Sequence, residues 1–211
     1  MRSDRRFDFA NAYVHIGFMS RASHKETILK HGLSVMHQRG YSNSSVRDIT
    51  AAANVPNGSF TNHFSSKEEF GLAVLDVYVD SGMELMERTI LNRALAPLER
   101  LIAFIDESIA GLGAVGVQNG CLIGNFASEM GQNSDAIRER IAGIFKQRCE
   151  AIANCVQEAI DSGILSADID SDDLGAFIIG AMQGATLLAK SQNSMEPMEK
   201  LRRTLVGTVL R

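Results

Sequence analysis

Three serines in the first third of the chain are each followed, three positions later, by an acid: Ser23–Glu26, Ser45–Asp48 and Ser66–Glu69. A serine at a helix N-cap accepts a backbone N–H from the first turn, and an acid at the third helical position returns the bond, so each pair predicts a helix start. The first opens a helix over about 24–39 with Ile28, Leu29, Gly32, Val35 and Met36 along one side, and Gly40 is its stop. The second opens a short helix with Val46, Ile49 and Ala53 inward. Asn54-Val55-Pro56 reads as a turn, and Pro56 suits the start of a further short helix, about 57–62, because its missing N–H is not needed there. The third pair launches a long helix to about residue 92, with Phe70, Val74, Val77, Ser81 and Leu85 down one face.

The rest of the chain keeps the same period. Pro97 starts a helix to about Leu112 carrying Leu101, Phe104, Ile105 and Ile109. GLGAVGVQNG (111–120) is predicted to be a flexible loop and lacks phosphate-loop spacing. Helices are expected at about 122–130, 134–163, 171–191 and 196–210, with no strand-like alternation and no internal repeat. The expectation is an all-α protein with a three-helix head over 23–66 and a larger helical domain over 67–211. Residues 1–22 read either as a mobile arm or as an over-called start; as an arm, Arg2, Arg5, Arg6 and Arg21 would suit a minor groove. No run of about 18 apolar residues is present, so no membrane partner is expected. Three irregularly spaced cysteines make no disulfide framework and fit a reducing compartment, the cytoplasm.

Charge is divided unevenly. Residues 1–67 hold nine Lys/Arg against four acids, a balance of +5, while the remainder stands at −9, and all five histidines lie within the first 63 residues. A basic end on an acidic body points to a polyanion met by one end only. Two short helices joined by a tight turn, behind an amphipathic helix and ahead of a capped one, describe a helix-turn-helix. The second short helix keeps Phe60 and Phe64 as anchors and is expected to present Asn57, Ser59, Thr61, Asn62 and His63 outward. Short polar side chains reach base edges and phosphates, and Gly58 lets the backbone come close. Ser45, Arg47 and Lys67 are expected to hold the flanking phosphates of double-stranded DNA. A helical adaptor that binds protein would leave both this polarity and the charge division unexplained.

The stretch ILKHGLSVMHQRGYSNSSVRDITAAANVPNGSFTNHFSSKEEF (28–70) resembles the DNA-binding domain of the TetR family of repressors. The resemblance implies a homodimeric transcriptional regulator with a variable ligand-binding domain behind its DNA-binding head. Two positions depart from the family's pattern: Thr61, where a tyrosine is common, and Asn57, where a lysine is frequent. Both commonly touch phosphate, which moves weight onto Arg47, His63 and Lys67.

In the body, Ala176, Gly180, Gly184 and Leu188 recur every four residues, and the last helix offers Met198, Leu201, Leu205 and Val209. Either these stripes pack inside the chain or they form a two-fold interface, which would demand a palindromic operator. Cys121 stands at a loop-to-helix junction, where helix-start N–H groups would favour a thiolate; a buried, inert thiol is the alternative. Cys149 and Cys155, six apart in one helix, read as packing residues. GCLIGNFASEM and LLAKSQNSMEPMEKL resemble the TetR subgroup of the electrophile-sensing repressor NemR. That implies a repressor released from DNA when an electrophile or oxidant modifies Cys121, with Lys190 nearby as a cation favouring the thiolate; snorkelling to solvent is the other reading of Lys190. The rival is a noncovalent small apolar ligand in a pocket drawn from Phe104, Ser108, Phe126, Met130, Phe145 and Gln183. No nucleophile–base pair, dinucleotide fingerprint or metal-ligand spacing is found, so neither an enzyme nor a cofactor or metal is expected.

Overall fold

The computed structural model describes residues 23–210; the arm or start-site reading of residues 1–22 lies outside the described residues. Among the described residues there is no strand. The helices are α1 (His24–Arg39), α2 (Val46–Ala52), α3 (Gly58–Thr61), α4 (Lys67–Arg88), α5 (Pro97–Val115), α6 (Leu122–Met130), α7 (Asp135–Asp161), α8 (Ser171–Gln192) and α9 (Glu196–Thr204). A 3-10 turn, Val117–Asn119, precedes α6, and a π turn, Leu205–Val209, follows α9.

Two of the three serine caps close reciprocally. Ser23 Oγ accepts from Glu26 N at 3.3 Å while Glu26 Oε2 accepts from Ser23 N at 3.0 Å; Ser45 and Asp48 do the same at 3.1 and 2.9 Å. At α4, Ser66 Oγ accepts from Glu69 N at 3.0 Å, but the Glu69 carboxylate reaches one residue further back, to Ser65 N at 2.8 Å. α4 stops at Arg88 rather than near 92, because Thr89 leaves helical geometry and its hydroxyl takes the Leu85 carbonyl at 2.7 Å.

The glycine-rich stretch is not a loop throughout. α5 runs through Gly111 and Gly113 to Val115, and the chain then turns through Gly116 (φ +92°) and Gly120 (φ +64°), with Asn119 Nδ2 donating to Val115 O at 2.6 Å. Only the last two glycines supply the positive φ that other residues resist.

Two main cores hold the chain. The first spans head and body: Ile28, Leu33, Met36, Ile49, Phe60, Phe64 and Phe70 pack with Leu122, Ile123, Phe126, Ile137 and Ile141. Phe60, Phe64 and Phe70 form an aromatic trio with centroids 4.9–5.4 Å apart. Gly32 makes room for it, since a β-carbon there would overlap the Phe70 ring. Full burial of a ring like Phe70 stabilises by about 1.5–3 kcal/mol. The second core joins α5, α7, α8 and the C-terminus through Leu101, Ile105, Ile152, Val156, Ile178 and Leu205.

By length and composition α8 could cross a membrane, yet Leu174, Ile178, Ile179, Met182, Ala185 and Ala189 are buried in its own chain. Its opposite side is bare. Ala176, Gly180 and Gly184 are exposed, and Phe177, Leu187 and Leu188 are 54%, 67% and 52% exposed. Leu205, expected in the same interface, is instead inside the second core, and Leu201 is half-buried against it, because α9 lays its apolar side on α5 and α8.

Candidate functional site

The head presents a smaller polar face than its sequence predicts. α3 is a single turn, and Ser59, Phe60 and Phe64 are buried with His63 half-buried, whereas Asn57, Gly58, Thr61 and Asn62 are exposed. The helical period explains the correction: Ser59 and His63 are four apart and flank the two phenylalanine anchors, so both turn inward with them. Thr61 Oγ1 donates to Gly58 O at 3.1 Å and keeps its lone pairs outward. Asn57 Oδ1 accepts from the Thr50 hydroxyl, which ties the start of α3 to α2.

The basic residues divide as well. Arg47 is exposed on α2 and, among the described residues, carries no ion pair. Lys67, expected to grip phosphate, is half-buried: Nζ donates to Tyr41 O at 2.6 Å and lies 4.3 Å from the Tyr41 ring centroid. Burial holds its pKa below the ordinary lysine value, with Glu129 and Asp48 pulling the other way. Lys67 therefore braces the α1–α2 turn. The Ser45 hydroxyl is likewise spent on its cap with Asp48.

Behind the head, α1, α4, α5, α7 and α8 line a partly open cavity of about 150 Å3. Its walls include Tyr78, Leu85, Met86, Phe104, Ile179 and Met182, and Cys121 opens into it. Of the expected pocket residues, Phe104, Ser108 and Gln183 line it. Phe126, Met130 and Phe145 do not. The α6 stripe Leu122–Phe126–Met130 turns toward the head, where Phe126 meets the Tyr41 ring edge-on at 5.4 Å, and Phe145 packs between the two cores.

Cys121 is the N-cap of α6, but its side chain makes no capping hydrogen bond; Gln183 Nε2 donates toward its Sγ at 3.7 Å. The anticipated Lys190–thiol pairing gives way to another, since Lys190 Nζ donates to Asn125 Oδ1 at 2.9 Å while its stem packs over Gly120. Cys155 is buried, its thiol pKa pushed up to about 11 by desolvation, and Cys149 is half-buried with its thiol also raised by burial.

α6 is tied to the head at both ends. Just before it, Gly120 O accepts from His37 Nε2 of α1 at 2.9 Å; near its end, Glu129 Oε2 accepts from Ser42 N of the α1–α2 turn at 2.7 Å. Burial lowers the His37 pKa, the Gly120 bond opposes this and the Lys190 charge adds to it, so the imidazole is neutral at pH 7 and its Nε2 carries the proton. Sequence reasoning missed His37, Glu129 and Arg148, which also lines the cavity. For two of them a signal existed: His37 and Arg148 are polar residues standing four after Leu33 and Ile144 in otherwise apolar stripes.

A helix-turn-helix head whose first helix is bonded to the wall of a cavity in the body is the plan of a ligand-responsive DNA-binding regulator. Residues 28–74 match the family described as bacterial regulatory proteins, tetR family, and residues 97–205 match the tetracyclin repressor-like C-terminal domain. The chain is 37% identical over 185 residues to the HTH-type transcriptional repressor DhaR of Mycobacterium sp. strain GP1, covering 86% of this chain and 90% of that protein. The crystal structure of regulatory protein TetR from Rhodobacter sphaeroides superposes with a TM-score of 0.81 at 34% identity, covering 86% and 96% of the two chains. The repressor NemR of Escherichia coli is 22% identical over 175 residues, covering 83% and 88%, and its reduced form superposes with a TM-score of 0.78. The chain belongs to the TetR family of transcriptional regulators.

Proposed function

We propose that the protein is a homodimeric transcriptional repressor that leaves a palindromic operator when an electrophile or oxidant modifies Cys121. The observation that carries this reading is the position of Cys121: it opens into the cavity and caps a helix bonded at both ends to the DNA-binding head. An electron-poor alkene adds there as the thiolate sulfur forms a C–S bond and the alkene pair takes a proton from solvent. The adduct needs space beside Gln183 and the 117–120 turn. α6 is about 14 Å long at 1.5 Å per residue, so a shift at Cys121 is carried to Ser42 and the α1–α2 turn. Two heads on one dimer must match successive major grooves, and a coupling of roughly 1–3 kcal/mol changes affinity about 5- to 150-fold.

A second reading is supported by the largely apolar cavity wall, with Ser108 and Thr186 among its few hydroxyls: a noncovalent ligand fills the same space and moves the same helix. Fluorescence anisotropy on DNA from upstream of the gene, with N-ethylmaleimide titrated in, separates the two. Release by one equivalent in the wild type and none in Cys121→Ser supports the thiol reading. Equal release by the serine variant, or none by either, removes it and leaves the noncovalent ligand. Cys155, with its pKa of about 11 and full burial, does not compete for the reagent.

A further inference from the structure

Among the described residues, most arginines of the body are matched with acids. Arg88, Arg93, Arg100, Arg138, Arg140 and Arg202 each hold a carboxylate. Arg148 differs: it is half-buried on α7 in the cavity wall and, among the described residues, has neither ion-pair nor hydrogen-bond partner. The cavity lining includes no Asp or Glu, and His37, its other basic residue, is neutral. A guanidinium beside an apolar space, partly stripped of water and offered no counter-charge, attracts an anion more strongly than it would at the surface. α4 leaves room for it. A β-carbon at Gly82 would lie 2.9 Å from Arg148 Nη2, so the guanidinium occupies the gap that this glycine provides.

We propose that the cavity takes a small organic carboxylate, its anionic group on Arg148 and an electrophilic carbon presented to Cys121. This deepens the Cys121 reading above and rests on it only for the second contact. The size follows from the volume: a cavity of about 150 Å3 holds roughly one benzene-sized guest, some six non-hydrogen atoms. Arg148 stands on α7 and Cys121 at the start of α6, so such a ligand bridges the body to the helix that is bonded to the head.

Iodoacetate and iodoacetamide test the charge preference directly, since they differ little except in charge. In both, the thiolate sulfur displaces iodide: a C–S bond forms, the C–I bond breaks and iodide leaves with its pair. The rates at Cys121 in the reduced full-length protein are read from the mass of its peptide, and a free neutral thiol, N-acetylcysteine amide, supplies the intrinsic ratio of the two reagents. The expected result is an iodoacetate-to-iodoacetamide ratio at Cys121 roughly five- to ten-fold above that of the free thiol, the size of a partly exposed charge-assisted hydrogen bond. Arg148→Met should return it to the free-thiol value and Arg148→Lys should keep most of it, with iodoacetamide as the internal control for an intact fold. A ratio equal to that of the free thiol, a raised ratio that survives Arg148→Met, or no alkylation of Cys121 by either reagent would overturn the proposal. Operator release measured in parallel separates the two claims. A charge preference without release keeps the anion site and removes Cys121 as trigger; release without a preference does the reverse.

Discussion

At Gly175, α8 comes so close to α7 that a β-carbon would lie 2.9 Å from both Ala153 N and Cys149 O, and 3.0 Å from Ala153 Cβ. The first two are helix backbone atoms and cannot swing aside. Gly143, in the interior of α7, is the matched control, because a β-carbon there meets nothing within 4 Å. Alanine is better than glycine in a helix interior by about 0.8–1 kcal/mol, and both positions receive that gain. Overpacking a close-packed contact costs about 1–3 kcal/mol. Gly143→Ala should therefore stabilise by up to about 1 kcal/mol while Gly175→Ala destabilises by up to about 2 kcal/mol, so that their difference isolates the helix contact. Urea unfolding at matched protein concentration reads it as a shift in midpoint at constant slope, because self-association would otherwise move the midpoint. In a thermal scan about 1 kcal/mol corresponds to roughly 2–4 °C for a chain of this size. A Gly175→Ala variant that gains as much as Gly143→Ala would refute the close approach of α8 to α7.

Two further outcomes are expected. His37 has a folded pKa below its ordinary 6.5, so as pH falls through that value the unfolded chain binds a proton that the folded chain refuses. Its share of stability is complete above pH 6.5 and declines from there toward the folded pKa; His37→Gln should flatten that part of the stability profile, and superimposable profiles would refute the assignment. If the bare face of α8 is the dimer interface, Leu188→Glu should convert the dimer to a monomer in sedimentation equilibrium, weakening association by about 100-fold or more, because a carboxylate without a partner would be buried in it. A monomeric wild type, or an unchanged dimer, would remove the bare face of α8 as the interface.

Helix starts were readable because capping is local: Ser23, Ser45 and Ser66 each needed only the next few residues to act. The head followed from them and from the spacing of Phe60 and Phe64. What failed was directional. Ser59 looks solvent-facing by polarity, but in a one-turn helix the anchors set the rotation and take their neighbours with them. Lys67 looks like a phosphate ligand by charge, yet the Tyr41 carbonyl and ring lie within its reach from 26 residues away. GLGAVGVQNG looks uniform, and only the φ of Gly116 and Gly120 divides it into helix and turn.

The cavity was harder to read for a related reason. Phe126 and Met130 were reasonable pocket residues on apolarity alone, but one side of a helix cannot serve two cores. α6 spends its apolar stripe on the core it shares with the head, which leaves the two residues just before it, Gly120 and Cys121, to face the cavity. The division that defeats prediction also suits α6 to its proposed task. A helix whose apolar side is shared between the DNA-binding head and α7, and whose N-cap touches the effector space, meets any adduct at one end. On the proposed reading, displacement at Cys121 would load the hydrogen bonds that Gly120 and Glu129 make to the head, and with them the α1–α2 turn.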